Sequence, residues 1–326
     1  MIASVAFRNF KALRSTGLKL APFNLLVGPN GSGKTSLIQS LLRLRALAKS
    51  PLSEGRVEKT GGPEIVFYFS PPHAAIRARL SCVSEFVCDL LQITPPNASG
   101  WPELRTDLAR IRSYLLDHYA MAEPAQRKSG AELASNGANL AAVLAELRAN
   151  APSVFGELSA EVVRILPEFS AVELTERGDA VDLALRLGDG GRVSADNLSQ
   201  GALYLLAILA LSFDPAPPAL LCIEEIDRGI HPRMLREIRD ALYRLSHPAS
   251  AGLARRPVQI VATTHSPYLL DLFRDHPEEI VIAQKHGPVA RFERLADRAD
   301  LAELLREGSL GDMWFSGILG GVPDDR

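Results

Sequence analysis

Eight consecutive residues, Gly28-Pro29-Asn30-Gly31-Ser32-Gly33-Lys34-Thr35, constrain this chain more than any other feature in it. They fit the pattern G-x-x-x-x-G-K-[ST] without departure, and that pattern holds phosphate when it lies between a strand and a helix. Both flanks are present. Residues 18–27 read as an apolar strand, and Leu37, Ile38, Leu41, Leu42 and Leu44 recur afterwards at helical spacing. In that setting the glycines let backbone N–H groups turn inward around a phosphate, and the helix N-terminus adds partial positive charge. Lys34 spans neighbouring phosphates and the Thr35 hydroxyl takes a place on Mg²⁺. The expected nucleotide contacts run through Asn30, Gly31, Ser32, Gly33, Lys34, Thr35 and Ser36.

The rest of the chain is long enough to complete such a fold. With 326 residues, 47% of them hydrophobic, it can bury a sizeable core. Residues 2–7 read as a first strand, and residues 65–69, 74–82 and 86–93 read as an antiparallel β-meander. From residue 101 to about 166 the pattern turns helical and rich in Ala and Leu. Strand-like alternation returns at residues 171–174 and 181–187. Helices at 199–212, 232–245 and 267–273 then alternate with strands at 219–223, 258–262 and 280–283, an order that calls for a parallel sheet flanked by helices. The expected class is α/β, divided as residues 1–100 with the loop and meander, a helical insertion at 101–167, and residues 168–326 completing the sheet.

Two predicted strands end in polar residues, where parallel sheets place their ligands. Leu220-Leu221-Cys222-Ile223 runs into Glu224 and Glu225. Glu224 suits the Mg²⁺ shell, and Glu225 suits accepting a proton from a water that attacks the terminal phosphate. The strand at 258–262 runs into Thr263-Thr264-His265-Ser266, which puts His265 within reach of a phosphate oxygen. At Asn197-Leu198-Ser199-Gln200-Gly201 the chain enters a long apolar helix, so Ser199 and the free N–H groups of the first turn form a second anion site. His231, before Pro232, reads as structural or as a helix cap.

Taken in order, GPNGSGKTS, LSQG, LLCIEE and TTHS resemble the ABC ATPase superfamily, in its RecF/SMC/OLD-like branch rather than among transporters. The resemblance implies an ABC ATPase head with a phosphate-loop core, an antiparallel β-meander and a helical insertion, binding ATP with Mg²⁺ and hydrolysing it. It also implies a head-to-tail homodimer in which Ser199 and Gly201 of one subunit contact the γ-phosphate held by Lys34 of the other, with Asp227 in the loop between the sites. The opening Phe7-Arg8-Asn9-Phe10-Lys11 resembles the start of this branch. Three departures stand out. Glu224 occupies a position where many relatives carry Asp, residues 226–232 differ from the usual loop, and the lobe-connecting glutamine has only Gln92 as a candidate.

The insertion is too short and non-periodic for the arms of SMC-type proteins, and only a short tail follows the last predicted strand. The expectation is therefore a stand-alone ATPase without a Toprim nuclease, working with a separately encoded effector protein in antiphage defence or DNA maintenance. A RecF-like clamp acting on DNA is the second reading, and a transporter subunit ranks last. The 36 Lys+Arg against 38 Asp+Glu announce no general nucleic-acid binder, though Arg43, Arg45, Lys49, Arg56 and Lys59, offset by Glu54 and Glu58, form a local basic stretch. Cys82, Cys88 and Cys222 lack metal-ligand spacing and read as reduced packing thiols. With no apolar run of membrane length and no signal-peptide pattern, the expected location is cytoplasmic, without a membrane partner. The glycine-punctuated tail from Ser309 reads as packing on the parent domain in preference to docking a partner.

Overall fold

The computed structural model describes residues 1–50 and 61–320. The chain forms two compact units, Met1–Ser113 with Pro218–Ile226 and Arg256–Arg326, and Tyr114–Pro217 with Asp227–Arg255.

In the first unit, β1 (Ile2–Phe10), β2 (Leu13–Lys19) and β3 (Phe23–Val27) lead into helix α1 (Lys34–Lys49). The single strand expected over residues 18–27 is thus two. Pro22 has no N–H to continue a ladder, and the Asn24 side chain ties the turn by accepting from Ala21 N (2.9 Å) and donating to Ala21 O (2.8 Å). Strands β4 (Glu64–Phe69), β5 (Arg77–Cys82) and β6 (Cys88–Thr94) follow, and then α2 (Trp101–Ala109) and β7 (Ile111–Tyr114). The meander joins the N-terminal strands in an antiparallel sheet of order β2-β1-β4-β5-β6. Period-2 alternation sends Ile65, Phe67 and Phe69 of β4 and Ala78, Leu80 and Cys82 of β5 inward, against Leu37, Ile38, Leu41 and Leu44 of α1 in one core.

Cys82 and Cys88 stand opposite each other in the β5–β6 register and form a disulfide, which corrects the expectation of reduced thiols. Their separation of six in sequence does not reveal this; the hairpin that makes them cross-strand neighbours does. Cys222 is free and buried.

The second unit holds α3 (His118–Ala122), β8 (Ala125–Gln126), α4 (Leu140–Asn150), α5 (Pro152–Ile165), β9 (Phe169–Arg177), β10 (Ala180–Leu187), β11 (Arg192–Ser194) and α6 (Gln200–Ser212). Residues 101–167 thus carry two short strands among their helices. Strand β10 is central to a small antiparallel sheet, paired with β8, β9 and β11. Every residue of α6 from Gly201 to Ser212 is buried, as a helix apolar on all sides requires. It packs among α3, α4, α5 and the later helix Pro232–Ser246, and Tyr204 donates to Leu116 O beside it.

The chain re-enters the first unit at β12 (Leu220–Ile223), passes through α7 (Pro232–Ser246) in the second, and returns with β13 (Gln259–Thr264), α8 (Pro267–Asp271), β14 (Ile280–His286), β15 (Val289–Arg294), α9 (Leu301–Glu307) and α10 (Leu310–Phe315). The central sheet has the order β15-β14-β3-β13-β12-β7, and β14, β3, β13 and β12 run parallel. All residues of β3, β12 and β13 are buried, which matches their continuous apolar sequence.

The C-terminal stretch holds more structure than the expected tail. A β14–β15 hairpin and two helices follow residue 283, and α10 packs on α8, where Gly311 N donates to Asp271 Oδ1 at 3.0 Å. Leu310, Met313 and Leu319 are buried there, while Phe315 is 82% exposed. Among the described residues no helix is long and apolar enough to cross a membrane.

Candidate functional site

The site of the first unit begins where β3 ends. Gly28 leaves the strand so close to β14 that an added Cβ would lie 2.1 Å from Ala283 O, and Gly31 turns through φ +76°. No larger residue fits the first position, and the second needs the left-handed region. Helix α1 then starts at Lys34 without an acidic residue in its first turn and without a side-chain cap, which leaves its N–H donors to the loop. Ser32 Oγ is buried and has no hydrogen-bond partner among the described residues, which leaves a polar atom of the loop suited to a ligand oxygen.

Lys34 is only 7% exposed and donates to Gly28 O (2.6 Å) and Pro29 O (2.9 Å). Burial lowers its pKa to about 8, while the nearby carboxylates of Glu225 and Glu224 act the other way. A buried ammonium beside uncapped helix donors suits a polyanion, which would return to it the charge stabilisation that desolvation removes. Asn30 is exposed and Ser36 half-buried.

Parallel pairing brings three strand ends together at the C-terminal edge of this sheet: the loop after β3, His265 after β13, and Glu224 and Glu225 after β12. Thr35 Oγ1, in the first turn of α1, donates to Glu224 Oε2 at 2.8 Å. A hydroxyl and a carboxylate meeting beside a phosphate loop fit Mg²⁺, which takes one or two protein oxygens and completes its shell with phosphate and water. Among the described residues no group of three His, Cys, Asp or Glu side chains forms an all-protein metal cage.

Glu225 is exposed and has φ +52°, an uncommon conformation for a residue with a side chain. Its backbone is held from β13: Glu225 N donates to Thr263 Oγ1 (2.9 Å), and Ile226 N donates to Thr263 O (3.0 Å). Buried Thr263 therefore aims the acidic turn, a role the sequence reading did not assign. In sequence it is one of three polar residues of that strand, with Gln259 and Thr264, and nothing local singles it out. His265 is exposed at the turn into α8, where Ser266 caps the helix by accepting from Leu269 N at 3.3 Å.

In the second unit Ser199 is exposed and caps α6, accepting from Ala202 N at 3.2 Å. Gly201 is buried, and a Cβ there would lie 3.3 Å from Gly229 O. His231 caps α7, its Nδ1 accepting from Arg233 N at 3.3 Å. Gln92 lies within β6 opposite Arg79, inside the strand rather than at its end. Of the basic stretch, Arg43 is engaged with Glu85 O and Phe86 O and lies 4.8 Å from the Phe10 ring centroid. Glu54, Arg56, Glu58 and Lys59 lie outside the described residues.

Residues 93–271, more than half of the chain, match a family model described as "AAA domain, putative AbiEii toxin, Type IV TA system", and residues 1–71 match one described as an AAA ATPase domain. The OLD nuclease of Thermus scotoductus (strain ATCC 700910 / SA-01) is 30% identical over 140 residues, a match covering 36% of this chain and 26% of that protein. The chain thus spans about a quarter of the length of this curated relative. Among solved structures, an SMC head bound to the C-winged helix domain of ScpA superposes with a TM-score of 0.58 at 15% identity, over 90% of this chain and 96% of that one. The SMC head with an extended coiled coil from Pyrococcus furiosus, bound to the C-terminal domain of ScpA, gives 0.56 at 12% identity, over 94% and 99%. The fold is that of the SMC heads, and the chain belongs to the AAA domain family whose model spans residues 93–271.

Proposed function

We propose that this protein is an ATP-binding and ATP-hydrolysing switch that dimerises on ATP and gates a separately encoded effector protein or nucleic-acid binding, in antiphage defence or DNA maintenance in the cytoplasm. The observation that carries the reading is the hydrogen bond from Thr35 to Glu224, which ties the phosphate loop to the acidic strand end beside Lys34. Lys34 and the loop N–H groups neutralise the phosphate chain. Bound at Thr35 and Glu224, Mg²⁺ would supply charge neutralisation at the phosphates. Glu225, aimed by Thr263, takes the proton of the attacking water, and His265 donates to a terminal phosphate oxygen. Ser199 and Gly201 of a second copy close over the nucleotide, so that two sites share two chains.

A protein partner is supported by the SMC heads of the same fold, which were crystallised bound to ScpA domains. The test is to size wild type, Glu225→Gln and Lys34→Ala by analytical ultracentrifugation with ATP and Mg²⁺, and then to identify what Glu225→Gln retains from its native cells. An ATP-dependent dimer of Glu225→Gln that Lys34→Ala fails to form, retaining a distinct protein, is the expected result. Monomers throughout overturn the switch. Retention of DNA alone replaces the effector reading with a clamp acting directly on DNA.

A further inference from the structure

The phosphate loop has a second cation beside it. Strand β14 lies parallel to β3 with Ile282 opposite Val27, so its continuation runs alongside the loop that leaves β3. Ala283 presses on Gly28: a Cβ built on that glycine would lie 2.1 Å from Ala283 O and 3.0 Å from Ala283 Cβ. Two residues further along a strand the side chain returns to the same face. That residue is Lys285, and a Cβ on Gly31 would meet its Nζ at 3.4 Å and its Cδ and Cε at 3.9 Å.

The two lysines differ in what engages them. Lys34 donates to carbonyls of the loop and faces Glu224 and Glu225. Lys285 is exposed, and among the described residues its ammonium makes no ion pair and no hydrogen bond. Its neighbours on the hairpin are engaged with each other instead: Gln284 Nε2 donates to Glu293 Oε2 at 2.8 Å, and Gln284 Oε1 lies 3.3 Å from His286 Nε2. A long stem therefore lays an uncommitted positive charge over a loop built to hold phosphate.

We infer that Lys285 is a nucleotide-binding residue, a second cation that holds the phosphate chain of the ligand from the β14 side of the loop. This rests on the reading of Gly28–Thr35 as a nucleotide site. A compact point charge on a flexible stem suits phosphate oxygens whose position changes between ATP and ADP. Because Lys285 is exposed, and unpaired among the described residues, replacing it leaves the fold intact, unlike replacement of a buried loop residue.

The test compares wild type, Lys285→Met, Lys285→Arg and Lys34→Ala by equilibrium titration with a fluorescent ATP analogue, and by its competition with inorganic tripolyphosphate and with adenosine. Thermal melting of each variant serves as the folding control. Lys285→Met should weaken ATP and tripolyphosphate by about tenfold alike, the size of one charge-assisted contact, should leave adenosine unchanged, and should melt with wild type. Lys285→Arg should restore most of the loss. If Lys285→Met leaves ATP and tripolyphosphate within twofold of wild type while Lys34→Ala abolishes both, Lys285 is no ligand and the nucleotide site stands. Weakening of adenosine but not tripolyphosphate assigns the stem to the nucleoside and overturns the proposal. Failure of wild type itself to bind ATP removes both readings together.

Discussion

Thr35 Oγ1 donates to Glu224 Oε2 at 2.8 Å, joining the first helical turn after the phosphate loop to the end of the strand two places away in the sheet. Neither residue has this neighbour in sequence. If the pair holds Mg²⁺, Thr35→Val and Glu224→Gln should each lower Mg²⁺-dependent ATP turnover by about a hundredfold or more, some 3 kcal/mol of transition-state stabilisation. The double variant should fall little further, because the two act as one unit. Steady-state phosphate release at saturating ATP measures this, and full additivity would separate the two roles.

The left-handed backbone of Glu225 makes a second prediction. A non-glycine residue there costs about 1 kcal/mol, which the surrounding structure offsets. Glu225→Gly should therefore match or exceed wild type in thermal stability, by up to ~1 kcal/mol, while losing ATP turnover. Glu225→Gln should keep the strain, bind ATP and fail to hydrolyse it. Denaturation midpoints with single-turnover assays test both, and a marked loss of stability in the glycine variant would contradict the strain.

Ser199 caps α6, and the proposed function gives it a second, separable duty. As the cap of α6 it accepts from Ala202 N, and Ser199→Ala should cost about 1 kcal/mol of stability. As a contact to nucleotide held by a second copy, its loss should lower turnover and ATP-dependent dimerisation without changing ATP affinity. Ser199→Asp keeps a capping oxygen and should recover the stability but not the dimer. Dimer formation by Ser199→Asp would reduce Ser199 to a cap.

Glu161 supplies a pH-dependent term in the second unit. Arg164 first, and Arg244 with it, hold its carboxyl below the ordinary 4.5 through hydrogen bonds at 2.8 and 3.1 Å. A carboxylate with a lowered folded pKa contributes stability that is present above its unfolded pKa and lost as pH falls through the folded value. Glu161→Gln should cost up to about 1 kcal/mol at neutral pH, since the arginines are partly exposed, and the difference from wild type should close in acid. Urea unfolding across that range checks it; a difference that grows in acid would have the wrong sign.

Local chemistry carried most of what could be read ahead of the fold. Phosphate loop, helix start and acidic strand end are each contiguous, and the caps at Ser199 and His231 act within three residues. The meander was legible because alternation of period 2 survives in β4 and β5. Where a strand had to break at Pro22, the apolar run hid the turn, since Asn24 ties it with a side chain that periodicity does not register. Beyond Ala283 the pattern is too short and mixed to announce β15, α9 and α10, which gain their stability from packing rather than propensity.

The kind of loop, the class of sheet that flanks it and the residue types it presents follow from contiguous residues and their spacing, and were legible in the sequence. Four juxtapositions came from the fold alone: Cys82 faces Cys88, Thr263 holds the Glu225 turn, Thr35 meets Glu224 and Lys285 lies over Gly31. Each of those depends on which strand lies beside which and in what register. Strand order is fixed by long-range burial of the whole apolar sheet, a collective property that no local window of sequence contains.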